Sequence, residues 1–216
     1  MSDFQIDWER EDRTGATEAV LCESKSVSQI EAIVQHASEL GRRLLLTRLD
    51  EKQYLALGGM ARESLEFDVV SRTAILGGTG HLPCARVAIV CGGTSDMPVA
   101  REAERTLAFH GEAATLVSDV GVAGLWRLLE KIDVIRTHQA VIAVAGMEGA
   151  LFSVIAGLVS CPVIAVPSSV GYGVAKEGRV ALQAALATCS PGVVTVNIDN
   201  GYGAAHAVLR MIRRGA

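Results

Sequence analysis

Several short polar segments, each beside an apolar run, hold the residue types that could do chemistry. The first is Cys91-Gly92-Gly93-Thr94-Ser95-Asp96-Met97-Pro98. Its glycines offer backbone N–H groups ahead of a helix start, a favourable seat for an anion. Ser95 reads as the helix cap and Pro98 as a residue of the first turn. A well-capped connection with no ligand has the same composition, and the spacing is neither a Walker loop nor GxGxxG. The second is Ala145-Gly146-Met147-Glu148-Gly149-Ala150, where Glu148 is the only charged residue between Gln139 and Ala175. A carboxylate in so apolar a stretch is costly unless it is paired, caps a helix, or works as an acid or base. A helix-terminal acid held by the helix dipole is the alternative to a functional role, and the functional role is expected.

Cys189 lies in Ala187-Thr188-Cys189-Ser190-Pro191-Gly192. A turn of this composition makes it more reachable than Cys91 or Cys161, which border buried strands. Its neighbours alone give Cys189 a structural reading. Three further Gly-bearing segments could wrap a ligand. These are Ser118-Asp119-Val120-Gly121-Val122-Ala123-Gly124, Pro167-Ser168-Ser169-Val170-Gly171-Tyr172-Gly173 and Asn197-Ile198-Asp199-Asn200-Gly201-Tyr202-Gly203, where Asp199 or Asn200 could equally cap a following helix. The five histidines, His36, His81, His110, His138 and His206, have no metal-ligand spacing and read as surface or capping residues. No metal site and no Ser/His/Asp triad is expected.

The apolar runs 87–91, 113–117, 140–145, 162–166 and 193–196 are uninterrupted and β-branched or Ala-rich, and helical segments separate them. Such strands are buried on both faces, so the pattern predicts a doubly wound parallel α/β sheet of three layers. The flavodoxin-like order 2-1-3-4-5 is expected, with the ligand crevice where the first and third strands part. That places Gly92–Asp96 beside Gly146–Gly149. Ahead of this domain, expected over 82–216, residues 1–81 read as a small α+β domain, with the junction near Gly77-Gly78-Thr79-Gly80 and Pro83. There Ser26 and Gln29 form a capping box for a helix over 27–40, and strands are expected at 19–22, 44–47, 54–57 and 73–76.

The 216 residues are 50% apolar, with 20 bases against 24 acids and a net charge of −4. A soluble globular protein of one or two domains fits these numbers, and a nucleic-acid or membrane-surface role is disfavoured. The charged start MSDFQIDWEREDR predicts a cytoplasmic protein, and five cysteines without C-x-x-C spacing predict neither disulfides nor zinc. The uncharged stretch from Gly149 to Ala175 is broken by Pro162, Pro167, Gly171 and Gly173, so a buried helix, strand and loop are expected there rather than a membrane span.

Taken together, GGTSDMPVAREA, DVGVAGL, AGMEGALFSVIAGL, PVIAVPSSVGYG and NIDNGYGAA resemble the LarB family, which opens synthesis of the nickel-pincer cofactor of lactate racemase. Asp7, Arg10, Arg13, Gly15, Glu18, Lys25 and Thr47-Arg48 are similar to that family's amino-terminal region. Residues 82–216 also resemble the PurE-like aminoimidazole-ribonucleotide carboxylases through Ser95-Asp96-Met97-Pro98-Val99. Where those enzymes have Ser-Ala-His-Arg, this chain has Ser118-Asp119-Val120-Gly121 and lacks the His. The resemblance implies carboxylation of nicotinic acid adenine dinucleotide at pyridinium C5, with hydrolysis of its phosphoanhydride to pyridinium-3,5-biscarboxylate mononucleotide and AMP. It makes Cys189 the nucleophile and places Glu148 at the CO2 pocket. It assigns substrate binding to Gly92, Gly93, Thr94, Ser95, Asp96, Asp119, Gly146, Gly149, Ser168, Ser169, Asn197 and Asp199, with Ser95 and Asp96 in the loop that holds the ribose phosphate. CO2 or bicarbonate is the implied co-substrate. No prosthetic group is required, Mg2+ is left open as an aid to hydrolysis, and a homo-oligomer, an octamer by the same resemblance, is implied. The competing readings are a purine-pathway carboxylase or mutase and a non-catalytic nucleotide-binding regulator.

Overall fold

The computed structural model describes residues 4–79 and 84–213. The chain divides into two compact units, Met1–His81 and Leu82–Ala216. The junction expected from Gly77 to Pro83 runs into residues 80–83, His81 among them, which lie outside the described residues.

The first unit contains α1 (Arg10–Thr14), β1 (Ala19–Leu21), α2 (Val27–Glu39), β2 (Leu44–Thr47), α3 (Glu51–Ala56), α4 (Gly59–Ser64), β3 (Leu65–Asp68) and β4 (Thr73–Leu76). Its sheet has the order β1-β2-β4-β3, with β1 parallel to β2 and the other pairs antiparallel. The expected capping box starts α2: Gln29 N–H donates to Ser26 Oγ at 3.2 Å and Ser26 N–H to Gln29 Oε1 at 3.0 Å. Ile30, Ile33, Val34 and Ala37 then pack on Val20, Leu44, Leu46 and Ala74. Residues 54–57 do not form the expected strand. They follow a second capping box, in which Gln53 N–H donates to Asp50 Oδ1 at 2.7 Å and starts α3. β3 was not expected, because Glu66 and Asp68 interrupt its apolar residues.

In the second unit the elements are β5 (Val87–Cys91), α5 (Met97–Phe109), β6 (Ala114–Val117), α6 (Leu125–Arg136), β7 (Ala140–Ala145), α7 (Ala150–Ala156), β8 (Val163–Pro167), α8 (Arg179–Ala187), β9 (Val193–Thr195) and α9 (Gly201–Arg213). The sheet is all parallel in the order β6-β5-β7-β8-β9, the flavodoxin-like order. Alternate residues of each strand serve opposite layers. Val141, Ala143 and Ala145 join Leu128, Leu151, Phe152 and Ala181 of α6, α7 and α8, whereas Ala140, Ile142 and Val144 meet Ala103, Leu107, Ala204 and Val208 of α5 and α9. The chain is therefore a three-layer α/β domain preceded by a small α+β unit. His138 takes the capping alternative of the role expected of it: it is buried, with Nδ1 3.0 Å from Val134 O in the last turn of α6 and Nε2 2.8 Å from Thr115 Oγ1. The uncharged stretch after Glu148 forms α7, β8 and a loop, and no helix among the described residues is long and apolar enough to cross a membrane.

Candidate active site

In a parallel sheet every βα loop leaves at the carboxyl ends of the strands, and where the winding reverses the loops on either side part and leave a crevice. Here the reversal lies between β5 and β7. Cys91 pairs with Val144, and Gly92 N–H donates to Val144 O at 2.9 Å, so Gly92–Asp96 and Gly146–Gly149 are neighbours. Val120 N–H donates to Cys91 O at 3.2 Å, which brings the Asp119 loop against the other side of β5. A Cβ on Gly121 would stand 2.8 Å from Gly92 O, an approach only glycine allows. Ser168 N–H donates to Ala145 O at 2.9 Å and Asp199 N–H to Pro167 O at 2.9 Å, adding the loops after β8 and β9. Asp119, Met147 and Asp199 all take the left-handed conformation, with φ of +58°, +51° and +53°. Non-glycine strain of this kind, repeated at the ends of three strands of one sheet, is typical of a functional edge.

The Gly92–Asp96 loop differs from the open anion seat expected of it. Gly92 N–H is spent on β7, Gly93 N–H donates to Asp96 Oδ2 at 2.9 Å, and Asp96 N–H donates to Gly93 O at 3.1 Å. Ser95 is exposed and makes no capping hydrogen bond; the Asp96 carboxylate, not Ser95, closes the turn that leads into α5. A carboxylate reaches the Gly93 N–H with better charge complementarity than a hydroxyl would. Asp96 is buried, and burial pushes its carboxyl above the ordinary range, opposed by the Gly93 N–H and the Ser168 hydroxyl and reinforced by the charge of Asp199. Its Oδ1 is buried with no hydrogen-bond partner among the described residues.

Glu148 is exposed at the end of β7, so the apolar sequence around it does not bury it. Gly146 is half-buried and Gly149 buried beside it. Ser168 is buried and accepts from Val170 N–H at 3.2 Å, while Ser169 N–H donates to Asp199 Oδ1 at 2.8 Å. Asn200 takes the cap of α9 through Gly203 N–H at 2.7 Å, so capping does not account for Asp199. Thr94 and Asn197 are exposed, and Asn197 Oδ1 accepts only from the neighbouring Ile198 N–H among the bonds of the described residues.

Cys189 is exposed, but it does not join these loops within one chain. The turn from α8 to β9 enters the sheet at the amino ends of the strands. Val193 is level with Val163 and Val141, and four further residue pairs lead to Ala145 and Pro167. At about 3.3 Å per residue the sheet alone separates the two ends by about 13 Å. The expectation that Cys189 points into the same crevice as Glu148 is corrected for the single subunit. Burial pushes the Cys91 thiol up to about 11 and the Cys22 thiol up to about 12, so neither is a thiolate at neutral pH. No group of three or more His, Cys, Asp or Glu among the described residues is arranged to hold a metal ion.

Arg127 escaped sequence reasoning. Its Nη1 donates to Asp119 Oδ2 at 2.6 Å, which brings a guanidinium to the loop after β6. One signal pointed to it: Arg127 is the only charged residue between Asp119 and Glu130.

Comparison with known proteins covers both units. The LarB/PurE-like N-terminal domain matches residues 1–77, and the AIR carboxylase domain matches residues 86–215. An uncharacterized protein of Methanocaldococcus jannaschii is 35% identical over 209 residues, a span that covers 93% of this chain and 80% of that protein.

Proposed function

The chain belongs to the AIR carboxylase family, in the branch with a LarB/PurE-like N-terminal domain, and we propose that it carboxylates nicotinic acid adenine dinucleotide at C5 of the pyridinium ring and cleaves the phosphoanhydride. Membership supports a carboxylase-type function. The finer assignment rests above all on the joining of that N-terminal domain to the carboxylase domain in one chain. The loop after β6 agrees with it, since Asp119 there pairs with Arg127 and no histidine is present for the purine reaction.

The chemistry calls for an electron source, because a pyridinium ring is too electron-poor to attack CO2. Addition of the Cys189 thiolate at C4 gives a neutral dihydropyridine in which C5 is an enamine-type nucleophile. C5 then bonds to CO2, the C5 proton leaves to a base, and the C4–S bond breaks with its electron pair returning to sulfur. The aromatic ring is restored and one proton is released. Water next cleaves the phosphoanhydride to give AMP and the biscarboxylate mononucleotide. The exposed Glu148 carboxylate, beside the Gly146–Gly149 turn, is the proton acceptor in this scheme.

Because Cys189 and Glu148 lie at opposite ends of the strands, a complete site takes Cys189 from a second copy. The surfaces suit such a contact. Leu186 and Val194 are 70% and 44% exposed on α8 and the edge strand β9, and Tyr172 and Val174 are 77% and 93% exposed in the loop after β8. Apolar area of this kind is normally covered in an assembly. Mixing inactive Cys189→Ser and Glu148→Gln proteins under subunit exchange should restore activity, because some sites would then pair two intact groups.

The direct test is incubation with nicotinic acid adenine dinucleotide and bicarbonate. Release of AMP together with a mononucleotide heavier by one CO2 is the expected result. Turnover of aminoimidazole ribonucleotide, with none of the dinucleotide, would refute the assignment.

A further inference from the structure

We propose that Arg127, held in place by Asp119, is the residue that receives an oxyanion of the substrate at the carboxyl edge of the sheet. A guanidinium has two hydrogen-bonding edges. The Nη1 side is occupied by Asp119 Oδ2 at 2.6 Å. On the other edge, Nε is shut off from solvent and has no acceptor among the described residues. An unmet buried donor is costly, and a ligand oxygen relieves that cost. Gly124 packs against this same edge: a Cβ there would stand 2.8 Å from Nε and 3.0 Å from Nη2, so a larger residue would push the guanidinium out of its place.

The support beneath the guanidinium is fixed. Asp119 sits in the left-handed conformation at φ +58°, and Val120 N–H ties the loop to Cys91 O at the base of the Gly92–Asp96 loop. Asp96, Glu148 and Asp199 give the neighbouring loops negative charge, so an anionic substrate needs a cation beside them. The planar Nε/Nη2 pair matches two oxygens of a carboxylate or a phosphate, which a lysine ammonium would not do. Arg127 thus brings a guanidinium back to the loop whose sequence lacks the His-Arg pair of the purine carboxylases.

The identity of the oxyanion rests on the dinucleotide reading above, and the ring carboxylate and the phosphoanhydride are its two sources. Binding is measured by calorimetry in a Cys189→Ser background, which leaves the ligand unreacted. The ligands are nicotinic acid adenine dinucleotide, nicotinamide adenine dinucleotide, nicotinate and inorganic pyrophosphate. Arg127→Gln is expected to weaken the acid dinucleotide by about 10- to 100-fold, the loss of a charged hydrogen-bonded contact. If Arg127 holds the ring carboxylate, the amide dinucleotide is unaffected and the preference for the acid collapses. If it holds the phosphoanhydride, both dinucleotides and pyrophosphate weaken together. Arg127→Lys keeps the charge without the planar edge and serves if the Gln variant does not fold; Gly124→Ala keeps Arg127 but displaces its Nε/Nη2 edge, and both should weaken the same ligands. Should the background protein bind neither dinucleotide, the carboxylase reading fails, and Arg127-dependent binding of nicotinate or pyrophosphate still supports an oxyanion receptor. Unchanged binding of every ligand in folded Arg127 variants, or no oxyanion binding at all, overturns the proposal.

Discussion

Gly146→Ala is the most exposing single change at the crevice. A Cβ at Gly146 would lie 1.9 Å from Val170 O and 3.2 Å from Val170 Cβ, so the loop after β8 must retreat by about 1 Å or more. That retreat also breaks the 3.0 Å bond from Met147 N–H to Val170 O, which ties the loop after β7 to the loop after β8. The lost hydrogen bond is worth about 1 kcal/mol and the overpacking about 1–3 kcal/mol, about 2–4 kcal/mol together. For a unit of this size roughly 4 °C accompanies each kcal/mol, so the unfolding midpoint should fall by roughly 8–16 °C. Gly157→Ala is the control from the same unit. Its Cβ would meet Ser153 O and Val154 O at 3.5 and 3.6 Å, ordinary contacts, and φ is −75°. It should be neutral or stabilising by up to about 1 kcal/mol. Thermal unfolding followed by circular dichroism gives the stability change, and turnover well below both midpoints gives the effect on the site. Gly146→Ala should lose activity while still folded. Wild-type stability and turnover in that variant would refute the reasoning that these loops are locked together by close approach.

Asp96→Asn keeps an acceptor for Gly93 N–H but cannot ionise. Burial raises the Asp96 carboxyl in the folded chain, so the native state holds the proton more tightly and wild-type stability falls as pH climbs from the ordinary carboxylate value to the raised one. Urea unfolding across that window should show the variant gaining on the wild type as pH rises; parallel profiles would show that Asp96 is not desolvated. Glu112→Ala strips a buried carboxylate from Arg86, which donates to it at 3.2 and 2.5 Å. Breaking such a pair costs about 3–5 kcal/mol when both partners are buried, and the partial exposure of Arg86 lowers the expected loss to about 2–3 kcal/mol, measured by denaturant midpoint. Because the thiolate route routes no step through a metal ion, carboxylation of the ring should survive EDTA; loss of ring carboxylation on chelation would count against it.

The centre of the sheet was legible because β5, β7 and β8 are uninterrupted apolar runs, the mark left by strands buried on both faces, while the edge strands β6 and β9 each carry a Thr and are only partly buried. The crevice followed from strand order alone. The first unit was harder. Tyr54–Leu57 looks like a strand residue by residue, but the Asp50–Gln53 box immediately before it starts a helix, and Gln53 then fastens it to Cys22 O and Lys25 O. Glu148 misled because isolation from other charges along the chain says nothing about solvent at a loop tip. Ser95 misled because Pro98, three residues on, has no N–H for its hydroxyl to accept from, and the turn is closed instead by Asp96 reaching back to Gly93 N–H. The separation of Cys189 from Glu148 was implicit in the order of elements, since a turn that precedes a strand lies at the opposite end from a turn that follows one. Arg127 was hidden because its link to Asp119 spans eight residues and depends on how the loop folds back onto α6.

The central claim is that a carbon–carbon bond forms at C5 of the pyridinium ring with Cys189 as the electron source. Supplying 13C-labelled bicarbonate with nicotinic acid adenine dinucleotide and recording the 13C spectrum of the product tests it directly. The expected result is a labelled carboxylate bonded to ring C5, accompanied by AMP, with the wild-type protein and its absence with Cys189→Ser. Release of AMP with an unlabelled ring, or equal labelling by the serine variant, would contradict it.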